Sequence, residues 1–182
     1  MFDTILADRE LVTLQLKFGT MFIVSRLLAG GNLFNVEWML EVIYSLLGLV
    51  TYSLIIKKFI PKDVSNITLK DIIKYNAIYG SMLIVNRLLS GKPFNNNYFS
   101  SVIYILLGIT FYHAIIKDFV KLDRFKDKKI QGSINDSLEI LTMSVVSQFL
   151  AGKSYDNMWF YSTLYTCSGF VVYHLVTSSI LK

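Results

Sequence analysis

His113 and His174 each follow a tyrosine, in YHAII and YHLVT, and each stands in an otherwise apolar run. Ionisable rings at membrane depth are candidates for metal ligation or for passing protons. The matching place earlier in the chain holds Ser53, and no H-x-x-x-H, Asp-rich or paired-carboxylate pattern supplies further ligands. The alternative is an interfacial histidine near a helix end, its ring bonded to a backbone carbonyl. Glu41 and Glu139 are the carboxylates that stand in apolar runs, each toward a helix start, where an acid interacts favourably with the helix dipole. The single Cys167 excludes an internal disulfide and any cysteine-cluster metal site. Ser90 and Ser100 have no histidine in local register, G-x-S-x-G is absent, and Gly30–Gly31 is a turn rather than a phosphate loop. The expectation is a chain without enzymatic activity, cofactor or metal.

The elements that carry these residues are apolar and long. Hydrophobic residues make up 53% of the 182 and charged ones 17%. Residues 93–116 run for 24 positions, and 157–181 for 25, without Asp, Glu, Lys or Arg. A helix of about 20 apolar residues crosses a hydrocarbon core, so these runs predict an integral membrane protein. The start, MFDTILADRELVT, carries acids where a cleavable signal needs a basic segment, so insertion is expected to use internal helices.

A period of about 61 residues relates Arg26, Arg87 and Gln148, and likewise Gly30, Gly91 and Gly152. After one extra residue in the first copy, Phe34, Phe94 and Tyr155 align, then Asn35, Asn95 and Asp156, then Trp38, Tyr98 and Trp159. Each unit reads as helix, tight turn, helix. Glycine suits a left-handed helix end, Asn or Asp caps the next helix, aromatics belong at a membrane–water boundary, and the cation faces the negative end of the first helix. The phrase is a hairpin corner. Gly48, Gly108 and Gly169 sit within the second helices, beside Ser45, Thr110 and Ser168. Small residues there let helices approach closely in lipid; a pore-lining hinge is the other reading.

These observations predict an all-α, single membrane domain over 1–182, with hairpin repeats at about 11–60, 68–120 and 134–182 and six transmembrane helices. The second helices, about 36–57, 96–116 and 157–180, are expected to span. The first ones, about 11–29, 68–90 and 135–151, are interrupted: 12 uncharged residues separate Lys74 from Arg87, and eight separate Lys17 from Arg26. They span if their end charges reach the interface; shallow interfacial helices are the alternative. Of the 18 Lys and Arg, 14 fall on the side of the termini and linkers and four at the corners, so the termini are expected in the cytosol. Lys17 and Glu139 occupy one repeat position with Ile78 between them. They are expected to meet if the hairpins cluster about a centre and to stay apart if they stand in a row.

The basic residues flank apolar segments rather than forming a soluble patch interleaved with aromatics, which argues against nucleic acid as a specific partner. The composition leans to Ile, Lys, Asn, Tyr and Phe, with 14 Lys to four Arg. In this general character the chain resembles small multi-spanning membrane proteins of large icosahedral DNA viruses. That resemblance implies a place in a virion's internal membrane, tied to the capsid shell, and carries over no site residue. The expected function is therefore structural or scaffolding, with the lipid bilayer and proteins of a larger assembly as partners and a homo-oligomer allowed. A small channel or transporter of parallel hairpins is the alternative, and an assembly factor for other membrane proteins a third.

Overall fold

The computed structural model describes residues 8–61, 64–120 and 122–177. The chain termini, residues 62–63 and 121 of the linkers, and the end of the expected helix 157–180 lie outside them. Every regular element among the described residues is helical. The long elements are α1 (Arg9–Leu28), α2 (Val36–Leu54), α3 (Ile67–Leu89), α4 (Asn96–Phe111), α5 (Lys128–Leu150) and α6 (Asn157–Val172). Helix α4 runs on through a wider π-helical turn, Tyr112–Ile116, and α6 through another, Tyr173–Thr177.

Local chemistry sets the ends. Asp8, Asn35, Asn66, Asn95, Asp127 and Asp156 each precede a helix, and each side-chain oxygen accepts from a backbone N–H of the first turn. Those N–H groups have no partner within their helix, so the caps satisfy them. At the corners, Gly30, Gly91 and Gly152 adopt φ of 69°, 64° and 62°, the left-handed region in which a Cβ is costly.

The helices form a closed ring. Each packs on its neighbours in chain order, and the most extensive contacts join α2 to α3, α4 to α5 and α6 back to α1. One close approach recurs in all three of these contacts. A Cβ added to Gly48 would lie 2.5 Å from Met82 Cα, one on Gly108 2.6 Å from Met143 Cα, and one on Gly169 2.5 Å from Met21 Cα. Phe18, Tyr79 and Ile140 are buried inside the ring, with Phe18 edge-on to Tyr79 at 5.5 Å between centroids and to Phe170 at 5.8 Å.

The outer faces are apolar: Ile23, Ile43, Ile84, Ile103, Val145 and Leu164 are all exposed. Among the described residues three helical segments, Arg9–Leu28, Val36–Phe59 and Asn96–Phe119, are long and apolar enough to cross a membrane. The described part of the charge-free α6 is not among them, because Tyr161, Ser162, Thr163, Tyr165, Thr166 and Ser168 dilute its hydropathy. Conversely α1, interrupted by Lys17 and Arg26, qualifies.

A candidate site of buried charges between two cavities

The interior of this apolar ring holds ionisable side chains. On α5, Asp136 is 5% exposed and Glu139 1%. Lys17 Nζ of α1 lies 2.7 Å from Asp136 Oδ2, and His174 Nε2, in the π turn after α6, lies 2.6 Å from the same oxygen. Gly132, one turn before Asp136, leaves the room: a Cβ there would sit 2.5 Å from His174 Cε1. Asn135 completes the polar seam by accepting a 2.9 Å bond from the Tyr112 hydroxyl.

This corrects the expected pairing of Lys17 with Glu139. Lysine stems on a helix lean toward its N-terminus, so the ammonium reaches one turn below its own Cα, to the level of Leu14, Tyr75 and Asp136. Glu139, three residues on, rises by about 4.5 Å and faces α4 instead, with Oε2 3.8 Å from His113 Nε2. The expected bond of a histidine ring to a backbone carbonyl is also corrected. His113 stacks on Tyr75 at 4.4 Å, and neither of its ring nitrogens has a hydrogen-bond partner. His174 meets a carboxylate. Asp136 went unnoticed in sequence because SINDSL reads as polar and exposed; its three-residue spacing from Glu139 was the available signal.

Two cavities approach this layer from opposite ends. One, of about 500 Å³, opens toward the corners and is lined by Met21, Met82 and Met143 above Phe18, Tyr79 and Ile140. Glu41, paired with Lys92 at 2.8 Å, and Arg87 stand at its rim. The other, of about 530 Å³, opens toward the linkers and reaches Lys17, Tyr75, Asp136 and His174, with Arg9, Glu10 and Lys74 also in its wall. Glu10 bridges Lys57 at 2.5 Å and Lys74 at 2.7 Å. Phe18, Tyr79 and Ile140 at the end of one cavity, and Lys17, Tyr75, Asp136 and His174 in the wall of the other, thus stand between two openings.

Arg87 and Tyr98 line the corner-side cavity, and the other sequence-predicted corner residues lie outside both cavities. Arg26 Nε donates to Asn32 O at 3.4 Å, Arg87 Nη2 to Pro93 O at 2.6 Å and Gln148 Nε2 to Ser154 O at 2.6 Å. Arg26 lies over the Trp38 ring and Arg87 over Tyr98. The Tyr155 ring meets Trp159 edge-on, and its hydroxyl donates to Val145 O at 3.0 Å. Phe34 and Phe94 are exposed. Cys167 is partly buried, with Sγ 3.5 Å from Ser137 O. Among the described residues no group of three His, Cys, Asp or Glu is arranged to hold a metal ion. Compared with family models, curated proteins and solved structures, the chain matches none.

Proposed function

We propose that this chain is a small membrane transporter, built from three hairpin repeats that span the bilayer six times around a central path. The carrying observation is a cluster of ionisable side chains, buried Asp136 and Glu139 with part-buried Lys17 and His174, where two opposed cavities approach each other. Burying ion pairs is at best a neutral way to hold a bundle together, and apolar residues of similar volume stabilise as well or better. Ionisable groups enclosed at membrane depth characteristically line ion or substrate pathways. The side chains of Phe18, Tyr79 and Ile140 close the path in this state. The excess of basic residues on the linker side supports a cytosolic placement of the linkers, with the corners facing away.

Labelling in oriented membrane vesicles tests the path. On a Cys167→Ser background, Met21→Cys is expected to react with an impermeant thiol reagent from the corner side and Leu14→Cys from the linker side. Lack of reaction at both positions overturns the reading. A scaffolding role is the second reading, favoured by the exposed Arg124 and Lys126 of the linker and Lys128 at the start of α5, which could meet anionic lipid or a protein layer. Solute-driven currents from proteoliposomes on a solid-supported membrane separate the two.

A further inference from the structure

We propose that Glu139 is a proton-binding site and that this transporter is driven by, or conducts, protons; the second half rests on the reading above, the first stands on the local geometry. Glu139 is enclosed, and its Oε1 has no hydrogen-bond partner. With the Tyr79 hydroxyl beside it but nothing on Oε1, the carboxylate has lost more water than it has gained donors, a cost that one proton removes. The nearest cation is already engaged: the Lys17 ammonium sits 2.7 Å from Asp136. His113 is the other neighbour, at 3.8 Å, and both of its ring nitrogens are likewise without partners. Two facing groups with unpartnered polar atoms form a place where a proton can reside on either.

The surroundings give that proton two exits. Tyr79, reaching the Glu139 carboxyl from α3, lines the corner-side cavity. Asp136, His174 and Tyr75 line the linker-side cavity. The titratable and charged groups that act on this centre are Lys17 from α1, Asp71, Tyr75 and Tyr79 from α3, Tyr112, His113 and Lys117 from α4 and its extension, Asp136 on α5 itself, and His174 beyond α6. The step is a simple transfer. Water or a cavity-lining group gives up a proton as the O–H bond forms on Glu139, and release to the opposite cavity breaks that bond; no electron moves.

Dicyclohexylcarbodiimide, which adds to protonated carboxyl groups in apolar surroundings, tests the site on the wild-type protein in detergent. The expected result is one adduct per chain, mapped to Glu139 by peptide mass spectrometry, forming faster as pH falls and absent in Glu139→Gln. No adduct, or one on Asp136 instead, overturns the proton site. Proteoliposomes holding a trapped pH-sensitive dye test the second half. An acid pulse should acidify the lumen of wild-type vesicles, with a tenfold or greater loss of rate in Glu139→Gln and partial retention in Glu139→Asp. Adduct formation without any proton uptake would overturn the transport half alone. Uptake undiminished in a folded Glu139→Gln would overturn the role of Glu139 in it.

Discussion

The Lys17 ammonium pairs with Asp136, which stands one turn below its positional equivalent, Glu139, and the pair bridges the first and third hairpins at 2.7 Å. A hairpin row would hold these residues apart; the ring brings them together because α6 closes onto α1. The pair is mostly shielded from solvent, with the lysine side chain 13% exposed and the aspartate 6%. Removing the lysine leaves Asp136 with His174 as its remaining partner, and breaking a buried pair costs up to about 3–5 kcal/mol. Lys17→Met is therefore expected to lower the melting temperature in detergent sharply. Lys17→Met combined with Asp136→Leu should recover a substantial part of that loss. Losses that simply add in the double variant would show that the two charges do not act as a pair.

The corners and helix ends were legible because their chemistry is local: Gly30 and Asn35 sit within one turn and decide it without help from elsewhere. The buried charges were not. Asp136 lies in a polar stretch, and its burial comes from α1 and the extension of α6, more than thirty residues away on one side and over a hundred on the other. Periodicity shows which residues share a helix face but not how far a lysine stem leans, so Lys17 was matched to the wrong carboxylate. Closure of the ring depends on α6 meeting α1, the longest-range pairing in the chain, and no local pattern encodes it. Net apolarity misled in both directions: α6, without a charge, is diluted by hydroxyls, whereas α1 tolerates Lys17 because Asp136 receives it.

The glycines at the helix crossings differ from those with room for a Cβ. At Gly108 an added methyl would meet Met143 Cα at 2.6 Å and its carbonyl oxygen at 3.0 Å, so backbone rather than a flexible tip must move. Gly108→Ala is expected to destabilise by about 1–3 kcal/mol, as overpacking does. Gly19 and Gly80 also lie within helices, but nothing stands within 4 Å of a Cβ there. Gly80→Ala should leave stability unchanged or raise it, by up to about 1 kcal/mol of helix propensity. Chemical denaturation in mixed micelles compares them. Equal effects of the two substitutions would count against the close crossing of α4 and α5.

At the mouth of the bundle, Asp8 caps α1 and accepts the Ser53 hydroxyl from α2. That hydroxyl, with backbone N–H groups and Lys57 at 3.9 Å, holds the Asp8 carboxyl below its ordinary 3.8. Because the folded value lies below the unfolded one, the stabilisation is complete above pH 3.8 and disappears as pH falls through the folded value. Ser53→Ala should thus lower the melting temperature at neutral pH and make less difference in acid. The effect is small, since Asp8 is partly open to solvent. A difference that stays constant across the acid limb would remove Asp8 from the explanation.

The corner cations offer the last test, because the third corner does the same work without charge. Arg87 donates through Nε and Nη2 to Pro93 O, at 3.0 and 2.6 Å, and Gln148 donates to Ser154 O at 2.6 Å across the same six-residue span. Both bonds tie the end of a first helix to the loop that leads into the second. Arg87 adds a cation–π contact with Tyr98 at 4.6 Å, which Gln148 lacks. Such a contact contributes about 0.5–1 kcal/mol where exposed, comparable with a single net hydrogen bond of about 0.5–1.5 kcal/mol. Arg87→Gln should therefore lose the smaller part, keeping donation while giving up the cation, whereas Arg87→Leu loses both and leaves the Pro93 carbonyl to water. Folded yield and melting temperature in detergent are expected to fall in the order wild type, Arg87→Gln, Arg87→Leu. If Gln and Leu were equally damaging, the charge over Tyr98 rather than the bond to Pro93 would be what holds the corner.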